Sequence, residues 1–127
     1  MLFASQDISV RTKQFALRIA RLYSSLPKDT LSQVFGKQLL RSGTSVGAHV
    51  REGRHSRSDA ELYSKVSVAL QELEETRYWT ELLQDANIVK PERLMNLKDE
   101  MDQLKAILYS AMRKIKGNAS SSARARV

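Results

Sequence analysis

Residues 91–116 read PERLMNLKDEMDQLKAILYSAMRKIK, and their apolar members decide the fold class. Leu94, Leu97, Met101, Leu104, Leu108, Ala111 and Ile115 recur in steps of three and four without a miss. That series places seven side chains on one narrow stripe of an α-helix, of the width coiled-coil seams use. Pro91 suits the first turn, where its missing N–H costs nothing. Gly117 and Asn118 are expected to end the helix.

Three more segments upstream carry the same period. A first helix is expected over about residues 7–25, with Ile8, Phe15, Ile19, Leu22 and Leu26 on its apolar face. Pro27 stops it, because the residue before a proline avoids the α region. Arg11, Gln14, Arg18 and Arg21 form a polar stripe beside that face. A second helix is expected over about 30–52, capped by Asp29 or Thr30 and closed by Gly53. Its apolar face holds Phe35, Leu39, Val46 and Val50. Gly43 and Gly47 lie in its middle, each costing about 1 kcal/mol of helix propensity relative to alanine. Close approach of another helix is the expected compensation. Ser58-Asp-Ala-Glu61 reads as a capping box that starts a third helix reaching about Ala86. Its stripe is Leu62, Val66, Ala69, Leu73, Thr76, Thr80 and Leu83.

Four amphipathic helices joined by short loops predict an all-α, antiparallel up-down-up-down four-helix bundle. Residues 1–117 form the expected domain. Residues 118–127, rich in serine, alanine and arginine, are expected as a flexible tail. The 127-residue chain is long enough for one core. It has no cysteine, which excludes disulfides and thiolate metal sites and suits a reducing cytoplasm. No signal peptide and no membrane span are read from it.

Charge points to a partner. The formal net charge is +7. Residues 1–58 hold 10 basic and 3 acidic side chains, whereas residues 59–127 hold 11 of each. A basic first half attracts polyanions. Glu72, Glu74, Glu75 and Glu81 make the third helix acidic, so its face is expected to turn away from any phosphate.

Signals for chemistry are weak, and no catalytic residue, cofactor or metal is expected. There are two histidines. His49 and Glu52 share one helix face at metal-pair spacing, but a di-iron bundle needs carboxylates from every helix and a second such pair. No Gly-rich phosphate loop is present. Gln38, Arg41, Ser42, Ser45, His49 and Glu52 make a polar stripe along the second helix. It is expected to face solvent, another subunit or a ligand, rather than the interior of one bundle, where unpaired polar groups cost about 1–3 kcal/mol each. Trp79 lies at the edge of the third helix's apolar stripe, beside Tyr78, as an interface anchor or as peripheral core.

The stretch Gln38-Leu-Leu-Arg41-Ser42-Gly-Thr-Ser45-Val-Gly-Ala48-His-Val-Arg-Glu52-Gly53 resembles the signature of bacterial four-helix-bundle proteins encoded in ribosomal RNA intervening sequences. Relatives of that family include the accessory variability determinant of diversity-generating retroelements. The resemblance extends through Ser58, Leu62, Ala69 and Leu73 and spans roughly residues 12–116. His49 stands where the family usually has asparagine, and Gly43 where alanine is common. The resemblance implies an antiparallel bundle, a homo-oligomer in the form of a ring-like pentamer, and, from the retroelement relatives, binding to nucleic acid and a reverse transcriptase through a basic surface. The expected function is therefore an oligomeric nucleic-acid-binding scaffold, with RNA favoured as the ligand. The expected phosphate contacts are Arg11, Arg18, Arg21, Lys37, Arg41, Arg51, Arg54 and Arg57. The alternative is an adaptor that docks a reverse transcriptase or another acidic protein, with nucleic acid incidental.

Overall fold

In the computed structural model, backbone is described for residues 6–125 and side chains for residues 8–118. Four helices follow one another: α1 (Gln6–Ser24), α2 (Thr30–Gly53), α3 (Asp59–Asp85) and α4 (Pro91–Ala125). Each connection is five residues long. Links that short place consecutive helices side by side and antiparallel. The chain is an all-α four-helix bundle: α1 packs on α2, α2 on α3 and α3 on α4, while α1 and α4 meet along a thinner seam.

Local chemistry sets the boundaries. Asp29 caps α2, accepting from the Ser32 amide at 3.1 Å and the Ser32 hydroxyl at 2.8 Å. Those two bonds hold the Asp29 carboxyl below its usual range. Ser58 caps α3 through the Glu61 amide at 3.1 Å. The Glu61 carboxylate does not close a reciprocal box on Ser58; it accepts instead from the Arg57 N–H at 3.4 Å. Asn87 takes the left-handed conformation (φ 60°) that asparagine tolerates, reversing the chain after α3.

α4 departs from expectation at its far end. It runs through Gly117 and Asn118 to Ala125. Gly117 has no positive φ, so the left-handed cap that would stop a helix does not form. The following residues contain no proline and several alanines, which continue the helix readily. Thus the backbone of the segment expected as a loose tail is helical to Ala125, and residues 126 and 127 lie outside the described residues.

All seven α4 stripe residues are buried, against Phe15, Ile19, Leu39, Val46, Val50, Val66, Leu73 and Leu83 of the other helices. Each full-sized side chain so buried contributes about 1.5–3 kcal/mol. Polar residues inside the core are satisfied locally. The hydroxyls of Thr12, Thr76 and Thr80 donate to the carbonyls four residues back at 2.7–2.8 Å, so burying them leaves no orphan donor.

The glycines of α2 receive α1. A Cβ on Gly43 would stand 2.8 Å from both γ-carbons of Ile19. One on Gly47 would stand 3.2 Å from the Thr12 hydroxyl and 3.3 Å from the Thr12 backbone carbon. Gly36 likewise lies beneath Leu26 and Tyr23. The propensity lost at these positions is therefore exchanged for close α1–α2 docking.

Candidate nucleic-acid interface

The eight expected phosphate contacts do not share one surface. Two are already occupied by carboxylates. Arg11 reaches across to α4, where its Nη2 lies 2.5 Å from Glu100 and 3.0 Å from Gln103. Arg41 reaches α3 and pairs with Glu75 and, at 3.2 Å, with Glu72. The hydrogen bond to Glu75, with the charge of Glu72 behind it, raises the Arg41 pKa. Arg41 is thus a tie between α2 and α3.

Ser42 and Glu52 of the α2 polar stripe serve the same seam. Ser42 is fully buried and donates to the Gln38 carbonyl at 3.0 Å, and its Oγ lies 3.0 Å from the Thr76 hydroxyl. Glu52 receives Lys65 of α3 at 2.9 Å, and His49 Nδ1 stands 3.6 Å from the same carboxylate oxygen. Lys65 first, and His49 second, hold the Glu52 carboxyl below its ordinary range. The expectation that this stripe avoids the interior of a single bundle is corrected at Ser42: back-bonding to its own helix removes the desolvation cost that argued against burial. At the end of α2 and α3 distal to His49, half-buried Trp79 lies 6.0 Å from Phe35 and 5.2 Å from Tyr78, and its Nε1 donates to Glu75 at 3.1 Å.

Arg51 and Arg54 remain, together with Lys13, which sequence reasoning missed. All three line a groove of about 390 Å³ between α1 and the end of α2, whose other walls are Ser9, Val10, Gln14 and Leu17. Among the described residues, none that lines it is acidic. Arg54 is steadied by Ser9 Oγ at 3.1 Å. Lys13 and Arg51 have no ion pair among the described residues. The groove continues over a floor of small residues, Ala16, Gly47 and the signature residue Ala48.

Arg18 and Arg21 lie on the other flank of α1 and face α4, in a second groove with Arg93. Lys37 is exposed on α2, and Arg57 is exposed in the α2–α3 loop. Lys13 was legible only as a cation flanking the small-residue side of α1. Arg93 carried no signal, since periodicity does not say which helix faces the α1 arginines. Among the described residues, no three His, Asp or Glu side chains gather in a way that would hold a metal ion. None of the described helices is long and apolar enough to cross a membrane.

The sequence profile of the 23S rRNA-intervening sequence proteins matches residues 5–110. The chain belongs to that family. A solved structure similar to it is a protein of unknown function from the S23 ribosomal protein family of Bacteroides thetaiotaomicron, which shares 33% identity and a TM-score of 0.80. The similarity covers 85% of this chain and 96% of the other. No curated protein sequence matches the chain. In this member of the 23S rRNA-intervening sequence family, the α2 residues Arg41, Ser42 and Glu52 are engaged in tying α2 to α3.

Proposed function

We propose that this protein is a non-catalytic, self-assembling scaffold that binds RNA through the outer faces of α1 and α2. The observation that carries this reading is the groove of Lys13, Arg51 and Arg54, where cations from α1 and from the end of α2 share a wall that holds no carboxylate among the described residues. Cations so placed raise the local potential and attract a phosphate chain. Exposed Lys37 and Arg57 extend the same basic character along α2 and its following loop. Family membership supports RNA as the polyanion. No described residue lining the groove is aromatic, so binding is led by phosphate and strand shape rather than by base stacking.

Assembly is the second half of the reading. Leu31, Val34 and Tyr78 are 50–53% exposed around half-buried Phe35 and Trp79. An aromatic and aliphatic surface of this kind suits contact with another copy. The family resemblance makes a pentamer the expected form, and a ring would let several weak grooves hold one strand by avidity.

Fluorescence anisotropy with a single-stranded RNA, run from 50 to 200 mM salt, tests binding. Affinity is expected to fall steeply, and K13A/R51A/R54A is expected to flatten the log–log slope by about 2, at roughly 0.7 per lost single-strand contact. A slope near zero for the unmodified protein rejects the reading. Multi-angle light scattering tests assembly against the 14.4 kDa protomer; a monomeric mass at micromolar concentration rejects that half.

A further inference from the structure

The α1–α4 seam changes character along its length. On α1, Arg11, Arg18 and Arg21 follow one another on the flank that faces α4. Opposite Arg11, α4 supplies Glu100 and Gln103. One and two turns further along, where α4 runs back towards its start, it supplies Leu97 and Arg93 instead. Arg18, Arg21 and Arg93 therefore meet around one groove of about 250 Å³, floored by the buried Leu22 and Leu97. No residue lining it is acidic, and none of the three arginines has an ion pair among the described residues. Arg93 is held at the rim by a hydrogen bond from its Nη2 to Ser25 Oγ at 2.9 Å.

Three arginines that line one groove with no acidic partner among the described residues raise its positive potential, and an anion that enters lowers it. The groove is smaller than the roughly 300–1,000 Å³ of small-molecule pockets, so it takes a compact oxyanion rather than a whole cofactor. Guanidinium forks match phosphate oxygens geometrically. Charge then separates two kinds of phosphate. A backbone diester brings one negative charge, whereas a monoester brings about −1.5 to −2 and three acceptor oxygens. The second neutralises three arginines far better.

We propose that the Arg18–Arg21–Arg93 groove binds a terminal phosphate monoester, the phosphorylated end of a nucleic-acid strand. The proposal rests on the RNA reading above but uses a different site. Lys13, Arg51 and Arg54 hold the chain of phosphates on one flank of α1, and the arginine groove on the other flank holds its end.

One RNA sequence prepared with a 5′-phosphate, a 3′-phosphate or hydroxyl ends, titrated at about 100 mM salt, separates the outcomes. One phosphorylated form is expected to bind the unmodified protein about tenfold more tightly than the hydroxyl form. Arg93→Ala should bring that ratio near one while changing hydroxyl-end binding less than twofold. Arg93 is exposed, and Arg21→Ala, also at an exposed position, provides a second variant with the same expectation. Equal binding of all three RNAs, with sensitivity to K13A/R51A/R54A intact, overturns the end site and leaves the RNA reading standing. If no RNA binds, both fall. In that case, a rise in Tm with inorganic phosphate that Arg93→Ala abolishes would give the groove to free phosphate instead.

Discussion

The α2–α3 seam and the α1–α4 seam are built from the same residue type with opposite results. Arg41 meets Glu72 and Glu75, and Glu52 meets Lys65, so these charges at the α2–α3 seam each have a neighbour of opposite sign. Arg18 and Arg21 meet Arg93. An arginine's role in this bundle is therefore decided by the residue opposite it: on the α1–α4 seam itself Arg11 is tied to Glu100, whereas Arg18 and Arg21 face Arg93. Where α3 supplies acid, arginine is a tie; where α4 supplies another cation, arginine is left for an outside anion.

Reversing charge in the open groove should have the largest effect. K13E/R51E/R54E is expected to weaken RNA binding by more than 100-fold at 100 mM salt, on the order of three lost phosphate contacts plus repulsion. Circular dichroism should show an unchanged fold. A variant that keeps its affinity would show that the α1–α2 side is no different from the paired seam.

Next in size is the packing of α1 on α2. Gly43→Val pushes a branched side chain onto Ile19, which is itself branched and immobile, and should cost about 1–3 kcal/mol in denaturant unfolding. Combining it with Ile19→Ala should return part of that loss. Failure of the second change to help would mean that the two helices are not in the contact described.

Arg41→Ala is expected to lower stability by about 0.2–1 kcal/mol, because its side chain is 47% exposed and the pairs are screened by solvent. RNA affinity should stay within twofold. A large loss of affinity would erase the distinction between ties and free cations.

The smallest effect is a pH dependence. The Glu52 carboxyl is lowered in the folded state, so its contribution is present above the ordinary value of 4.5 and disappears as pH falls through the lower folded value. Glu52→Gln should therefore reduce stability at neutral pH and converge with the unmodified protein in acid. Parallel curves across that range would contradict the Lys65–Glu52–His49 link.

How much of this was legible beforehand follows the range of the forces involved. The seven α4 core positions were readable because burial imposes a helical period within one segment. Asp29 and Ser58 were readable because caps act over three residues. The α2 glycines were readable as a close approach, since their propensity cost needed a reason. The pairing of Arg41 with α3, of Arg11 with α4, and the meeting of Arg18 with Arg93 were not, because each depends on which helix flank faces which. The Gly117 stop failed for a related reason. Glycine permits a left-handed turn, but only the surrounding chain decides whether it takes one.

Gly36, Gly43 and Gly47 also act as a gauge. Gly43 receives Ile19 and Gly47 receives Thr12 of α1, while Gly36 receives Tyr23 of α1 and Leu26 of the following loop, so none of the three has room for a Cβ. The separation between Lys13 on one helix and Arg51 and Arg54 on the other is thereby set by three positions that carry no side chain. A polyanion meets charges already held at a fixed pitch, and the entropy of arranging them was settled when the bundle folded.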